Sequence, residues 1–279
     1  MKKVNTKYIR EIKLEKKKFS ALTAYDYSTA KVLDEAGIDI ILVGDSLAMV
    51  ALGYENTNSI SMDEMKIFTK AVAKGVSRAM VVCDMPFMSY HCDISSAIAN
   101  IGEAVKAGAN VVKIEGSGEY IYSLIKRCSE FGIPVIAHIG FTPQAINAIG
   151  GHYIQGKTYN ATLELLEQAK KLEEAGAFAI VLEMVPEESA KYISENLNIA
   201  TISCGAGRFC DGQVLVSDDV FGKYGEFKPK FARRYGDMRK LIYDCATQYD
   251  KDVKSGNFPS DDEVFRLEEG EVRQLLNHK

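Results

Sequence analysis

The stretch DEAGIDIILVGD, residues 34–45, joins two patterns. Ala36-Gly37 closes a helical segment, because glycine accepts the left-handed conformation that ends helices. Two residues later an apolar, β-branched run begins, and it stops at the acid Asp45. The phrase returns as VKAGANVVKIEG (105–116) and EEAGAFAIVLEM (173–184). Each copy is a helix-to-strand joint whose strand runs into a carboxylate.

Further apolar runs lie between the joints: FSALTAYD (19–26), AMVVCDMP (79–86), IPVIAHIG (133–140), IATISCGAG (199–207) and a weaker VLVSDD (214–219). Helical patterns fill the gaps. Ser61-x-x-Glu64 reads as a capping box. Asp93 or Ser95 opens the next helix, with Ile98, Ile101 and Val105 on one face. Asn160 opens another, with Leu163, Leu166, Ala169 and Leu172 spaced for burial. About eight continuously apolar strands alternating with helices predict a parallel sheet covered on both faces. A closed (β/α)8 TIM barrel, one α/β domain spanning 1–279, suits count and length better than an open doubly wound sheet. No GxGxxG follows the first strand, which weighs against a dinucleotide-binding fold. The first eighteen residues carry eight Lys or Arg and form a basic helical segment, and the charged tail from Arg233 to Lys279 lies outside the barrel as helix and irregular chain.

The composition, 47% apolar and 26% charged, is that of a globular chain. A net charge of −4 gives no sign of nucleic-acid binding. No signal-like block and no membrane-length apolar run is present, which predicts a cytoplasmic protein. Cys83, Cys92, Cys128, Cys204, Cys210 and Cys245 form no CxxC pair and read as reduced thiols acting as small core residues. Cys204 and Cys210 flank a glycine-rich turn that could lie near a site, with nothing beside them that looks like an activating base.

In such a barrel the active site forms at the C-terminal ends of the strands. Those ends carry Tyr25 and Asp26, Asp45 and Ser46, Asp84, Lys113 and Glu115, His138, Glu183, and the turn at 204–207. Singly, each has a plain explanation: Asp26, Asp45 and Ser46 as helix caps, His138 as a structural histidine, Tyr25 as packing. Together they ask for more. Asp45 and Asp84 end consecutive strands, and two converging carboxylates repel unless a proton or cation lies between them. Oxygen ligands suit Mg²⁺, which keeps waters and takes one or two carboxylates. Lys113 and Glu115, two apart, point the same way, and the lysine favours an anionic substrate. A divalent cation chelated by an α-keto acid stabilises an enolate, with Glu183 the candidate base.

LTAYDYSTA, LVGDSLAMV, DMPFMSY, GANVVKIEG, HIGFTPQ, VLEMVPEESA and GAGRFCDGQVLV follow one another as in the ketopantoate hydroxymethyltransferases, which the chain resembles from about Thr23 to Phe231 and again at 252–260. The resemblance implies a phosphoenolpyruvate/pyruvate-type barrel. It implies Mg²⁺-dependent transfer of a hydroxymethyl group from 5,10-methylenetetrahydrofolate to α-ketoisovalerate, giving ketopantoate for pantothenate biosynthesis. One Mg²⁺ per subunit would be held by Asp45 and Asp84, with Glu115 through water. Ser46 and Lys113 would contact the keto acid, Glu183 would be the base, and His138 and Tyr25 would complete the pocket. The partners implied are small molecules and further copies of the chain, commonly a decamer of two rings, with no nucleic acid and no membrane.

The chain departs from the family pattern at GYENTNSIS (53–61), GGHYIQG (150–156), SCGAG (203–207), Phe227-Lys228 and Glu263-Val264-Phe265. Two other readings stay open: a metal-dependent carbon–carbon lyase or phosphomutase of the same superfamily, although no Lys-Lys-Cys-Gly-His loop is present, and a non-catalytic assembly or binding subunit.

Overall fold

The computed structural model describes residues 3–224 and 229–278. Eight parallel strands close into a barrel in chain order: β1 (Phe19–Thr23), β2 (Ile40–Val43), β3 (Met80–Asp84), β4 (Val111–Glu115), β5 (Val135–Gly140), β6 (Ala179–Glu183), β7 (Ala200–Cys204) and β8 (Gly212–Leu215). The seam pairs β1 with β8, Ala21 facing Val214. The helices are α1 (Thr6–Leu14), α2 (Tyr27–Glu35), α3 (Leu47–Val50), α4 (Met62–Gly75), α5 (Ile94–Lys106), α6 (Glu119–Glu130), α7 (Ile146–Ile149), α8 (Tyr159–Ala175), α9 (Glu187–Glu195), α10 (Ser217–Phe221), α11 (Met238–Ser255) and α12 (Glu269–Leu276).

Because strand side chains alternate, each strand feeds two cores. One phase fills the barrel: Phe19, Ala21, Ile40, Met80, Val82, Val111, Ile136, Val181, Ile202 and Val214. The other phase, including Ile41, Val81, Val112, Ala137 and Ile180, packs on helix residues such as Leu33, Val72, Ile101, Leu124 and Leu172. The basic N-terminal segment is helical as expected. α1 adds Ile9 and Ile12, with Val4, to the inner cluster and so closes the N-terminal mouth of the barrel. Lys13 pins it there by an ion pair to Asp211 at 3.0 Å. The opposite mouth stays open.

Ser61 and Glu64 form the expected capping box, and Asp93 caps α5. Some local expectations shift. α8 is capped by Thr158 rather than Asn160, and Leu165 is buried where Leu163 is only half-buried. On α5, Ala104 is buried and Val105 is exposed. The last strand begins at Gly212 and ends at Leu215, so Asp218 and Asp219 fall on α10. All six cysteines are free, but only Cys83, Cys128 and Cys210 are core residues, while Cys92 and Cys245 are exposed. The tail lies outside the barrel, and neither α11 nor α12 buries a residue. Phe227-Lys228 lies outside the described residues. No helix among the described residues is long and apolar enough to cross a membrane.

Candidate active site

The inward phase of the strands decides what reaches the open mouth. On β3 it runs Met80, Val82, Asp84; on β4, Val111, Lys113, Glu115; on β5, Ile136, His138; on β6, Ala179, Val181, Glu183. Each series begins apolar, inside the barrel, and ends polar at the rim.

Asp45 arrives differently. The next inward position on β2 would be Gly44, where an added Cβ would lie 2.8 Å from Ser46 Oγ. The chain turns there, and Asp45 enters from the turn rather than from the strand. Its own N–H donates to Asp84 Oδ2 at 3.1 Å, which locks the two acids together. Neither Asp45 nor Ser46 caps α3 with its side chain. Ser46 sits at the cap position without making that bond, and its hydroxyl instead pairs with Tyr25 at 2.9 Å. Asp26, by contrast, is a helix cap, accepting from Thr29 N at 2.8 Å.

A chain of ionic contacts crosses the mouth. Lys113 Nζ lies 3.1 Å from Asp84 and 3.7 Å from Glu115. Glu115 lies 3.3 Å from His138 Nδ1, and Glu183 3.3 Å from His138 Nε2. These residues, with Asp45 and Ser46, line one cavity of about 180 Å³ whose floor is Val82, Ile136, Val181 and Ile202. Tyr25 does not line it; it stands behind Ser46.

Burial sets the protonation pattern. Desolvation, then the charges of Asp84 and Glu115, push the Asp45 carboxyl well above the ordinary range. Burial also raises Asp84, against the pull of Lys113. Burial works against the Glu115 anion, yet His138 and Lys113 outweigh it and its pKa falls. The Lys113 ammonium is opposed by burial but held by Asp84, Glu115 and Asp45, so it stays charged. His138 is pulled down by burial and Lys113, but Glu115 and Glu183 prevail and lift it to about 9. Its Nδ1 lies 3.3 Å from Glu115 and 3.2 Å from Lys113 Nζ, and its Nε2 lies 3.3 Å from Glu183.

The donor set fits a hard divalent cation. Asp45, Asp84 and Glu115 outnumber Lys113, and Asp45 meets the excess by favouring its proton. Asp84 Oδ1 and Glu115 Oε1 are buried, with ionic contacts but without hydrogen bonds among the described residues. No group of three or more His, Cys, Asp or Glu among the described residues is drawn together tightly enough to hold an ion directly.

Sequence reasoning passed over Gln144, the last residue of HIGFTPQ. It is buried, donates to Asp45 Oδ2 at 2.9 Å and to Met85 O at 3.0 Å, and accepts from Tyr90 OH at 2.8 Å. Its backbone N–H also donates to Glu115 Oε2 at 3.1 Å. The signal was Pro143, which starts a short 3-10 turn just after β5 and so places residue 144 over the mouth. Cys204 also enters the cavity, beside Glu183 in register. Burial and then Glu183 push its thiol well up, so it stands as a neutral thiol rather than a nucleophile. Thr57, from the altered 53–61 segment, lines the cavity too, and the His152 ring of the altered 150–156 segment packs tilted against Phe141, centroids 5.0 Å apart. Gly140 sits against Glu183, since an added Cβ there would lie 2.3 Å from Glu183 O. This close approach carries the Phe141 N–H to Glu183 O at 2.8 Å and holds the end of β6 in place.

The chain as a whole is similar to known proteins. The family model described as ketopantoate hydroxymethyltransferase matches residues 3–261. The 3-methyl-2-oxobutanoate hydroxymethyltransferase of Clostridium botulinum (strain Loch Maree / Type A3) is 49% identical over 267 residues, 95% of this chain and 97% of that one. That of Kosmotoga olearia is 50% identical over 250 residues, 90% and 93% of the two chains. Among solved structures, phosphonopyruvate hydrolase in complex with oxalate and Mg²⁺ superposes with a TM-score of 0.60 at 15% identity, covering 98% of this chain and 97% of that one. 2,3-Dimethylmalate lyase does so with 0.59 at 14%, covering 93% and 91%. At such identities these two establish the barrel fold and nothing of the substrate.

Proposed function

Since the chain belongs to the ketopantoate hydroxymethyltransferase family, we propose that it moves a one-carbon unit from 5,10-methylenetetrahydrofolate to α-ketoisovalerate. The observation that carries this reading is convergence: Asp45, Asp84, Lys113, Glu115, His138 and Glu183, from five successive strand ends, face one small cavity.

Asp45 and Asp84 would hold Mg²⁺, with Glu115 reaching it through water. A bound Mg²⁺ would supply Lewis acidity, favouring the enolate of the keto acid over its neutral form. Lys113 and the Ser46 hydroxyl attract and orient the substrate anion. Glu183 removes the proton from the carbon beside the ketone. The His138 ring holds the Glu183 carboxylate in place from one side while bracing Glu115 from the other. That carbon then bonds to the methylene carbon of the folate, whose bonds to N5 and N10 both break; water supplies the hydroxyl, and the proton taken from the keto acid and one from water return to the two nitrogens, leaving ketopantoate and tetrahydrofolate. The floor of Val82, Ile136, Val181 and Ile202 suits the branched apolar end of the acceptor.

The protein is further proposed to be a cytoplasmic homo-oligomer, a decamer of two rings. In support, α11 buries no residue and exposes Leu241, Ile242, Tyr243 and Tyr249, and exposed apolar residues gathered on one helix favour a protein partner.

The test is proton exchange. The protein is incubated with Mg²⁺ and α-ketoisovalerate in D₂O without folate, and loss of the proton beside the ketone is followed by NMR. Mg²⁺-dependent exchange, then ketopantoate on adding methylenetetrahydrofolate, is expected. No exchange above a Glu183→Gln control would remove this enolisation, and exchange without product would assign a different electrophile.

A further inference from the structure

In a closed barrel of eight strands in order, β8 lies diametrically across from β4, with β6 halfway between. Lys113 and Glu115 therefore mark one pole of the mouth, and Glu183 on β6 stands between that pole and its opposite. The acids and the lysine gather around β2–β4, where an anionic acceptor belongs. An electrophile must reach the same carbon from the remaining side, over β7 and β8.

The wall on that side differs in chemistry. Leu215, Val216, Pro229 and Phe231 line it, with one carboxylate, Asp219, from α10. Phe231 is seated against the turn after β7. Gly205 there has a φ of +72°, and an added Cβ would lie 2.7 Å from the ring. Phe231 is also 40% exposed and lines the cavity. Asp219 is half-buried, and no hydrogen bond among the described residues holds its carboxylate. Burial and Asp218 push its pKa up, with Arg234 opposing.

A flat apolar face and a carboxylate that no hydrogen bond among the described residues holds, lining one wall, suit a planar heteroaromatic ring with two adjacent N–H donors. Carboxylates accept such pairs in bidentate fashion, and aromatic faces stack on flat rings. The pterin ring of a reduced folate presents this donor pair, at its ring N3–H and its 2-amino group. We propose that Asp219 and Phe231 form the pterin subsite, Asp219 reading the donor edge and Phe231 covering the ring face. This places the one-carbon donor across the mouth from Lys113, with Glu183 between the two substrates. The inference rests on the folate reading above and names the residues that recognise its ring.

The experiment measures anaerobic tetrahydrofolate binding by calorimetry, and separate KM values for methylenetetrahydrofolate and α-ketoisovalerate, in wild type, Asp219→Asn and Phe231→Ala. Loss of the bidentate hydrogen bonds to a charged carboxylate is expected to weaken tetrahydrofolate binding roughly 10- to 100-fold in Asp219→Asn. The KM for the folate rises with it, while the KM for the keto acid holds within about twofold. Deuterium exchange of α-ketoisovalerate reports that each variant is folded. Wild-type affinity for tetrahydrofolate in both variants overturns the subsite alone. Equal rises in both KM values overturn it too, by moving Asp219 to the keto-acid side. A wild-type protein that exchanges the keto-acid proton but binds no tetrahydrofolate overturns the subsite and the folate donor together.

Discussion

The side-chain amide of Gln144 donates to Asp45 Oδ2 at 2.9 Å while the Gln144 backbone N–H donates to Glu115 Oε2 at 3.1 Å. One residue thus sets the separation of two carboxylates that come from the turn after β2 and from β4 and would otherwise repel. Tyr90 fixes the amide in turn, donating to its oxygen at 2.8 Å.

Gln144→Ala should therefore loosen the acid pair rather than the barrel. Loss of a hydrogen bond to a charged acceptor is worth about 1.5–3 kcal/mol, so Mn²⁺ affinity, read by electron paramagnetic resonance, should fall on the order of 10- to 100-fold. Gln144→Glu, which adds a further buried acid, should weaken the metal-free protein as well. Unchanged Mn²⁺ affinity in Gln144→Ala would count against the positioning role.

Asp45→Asn separates stability from function. Asp45 is buried beside Asp84 and Glu115, and its neutral isostere removes that repulsion while still accepting from Gln144. The metal-free variant should gain on the order of 1 kcal/mol, a few degrees in Tm, as relief of a strained functional site does. Transferase activity should drop sharply, and Mg²⁺ should raise the Tm of wild type but not of the variant. A metal-free Tm below wild type would contradict the charge-repulsion account.

Glu183→Gln should retain the fold, since Gly140 and Phe141 hold the Glu183 backbone rather than its carboxylate. General-base loss typically costs 10²–10⁴-fold, so deuterium exchange should slow by about that factor. Exchange at the wild-type rate would remove Glu183 from the base role.

Acid stability should carry the signature of Asp34. Its carboxylate accepts from Ser77 N at 2.9 Å, Ser77 Oγ at 2.7 Å, Arg78 N at 3.1 Å and Ala79 N at 2.6 Å, tying the end of α2 to the approach to β3. Burial opposes the anion, but these bonds prevail and its pKa is lowered. Folding therefore favours the ionised form. The stabilisation is complete above the unfolded value of about 4 and is lost as pH falls through the lower folded value. Asp34→Asn should cost about 2–3 kcal/mol at pH 7 by denaturant unfolding, with the gap to wild type closing below about pH 3. A gap that persists at low pH would assign the loss to packing instead.

Sedimentation should test the exposed tail. Wild type is expected as an oligomer, and Leu241→Asp with Tyr243→Asp should shift it toward smaller species. Leu241 is 62% and Tyr243 70% exposed, so the double change should leave the protomer's own core untouched. A monomeric wild type would end the assembly reading.

Much of this was legible along the chain because barrel architecture is local. The Ala-Gly joint, the continuous apolar strand and the acid at its end are spaced by one helix turn or one strand, so DEAGIDIILVGD and its two repeats announce the barrel. The same two-residue period places Lys113 and Glu115 on one side of β4 from sequence alone. What only the tertiary structure decided depends on contacts between distant segments. Asp45 lies off the inward phase of β2 and enters from a turn. Gln144 joins it across 99 positions of sequence. Tyr25, expected in the pocket, stands behind Ser46. Asp26 proved to be a cap and Ser46 did not, although both follow strands, because the choice rests on which N–H each side chain meets. Strand period and helix ends are written in neighbouring residues, whereas the closure of eight strands into a ring brings together residues that no spacing rule connects.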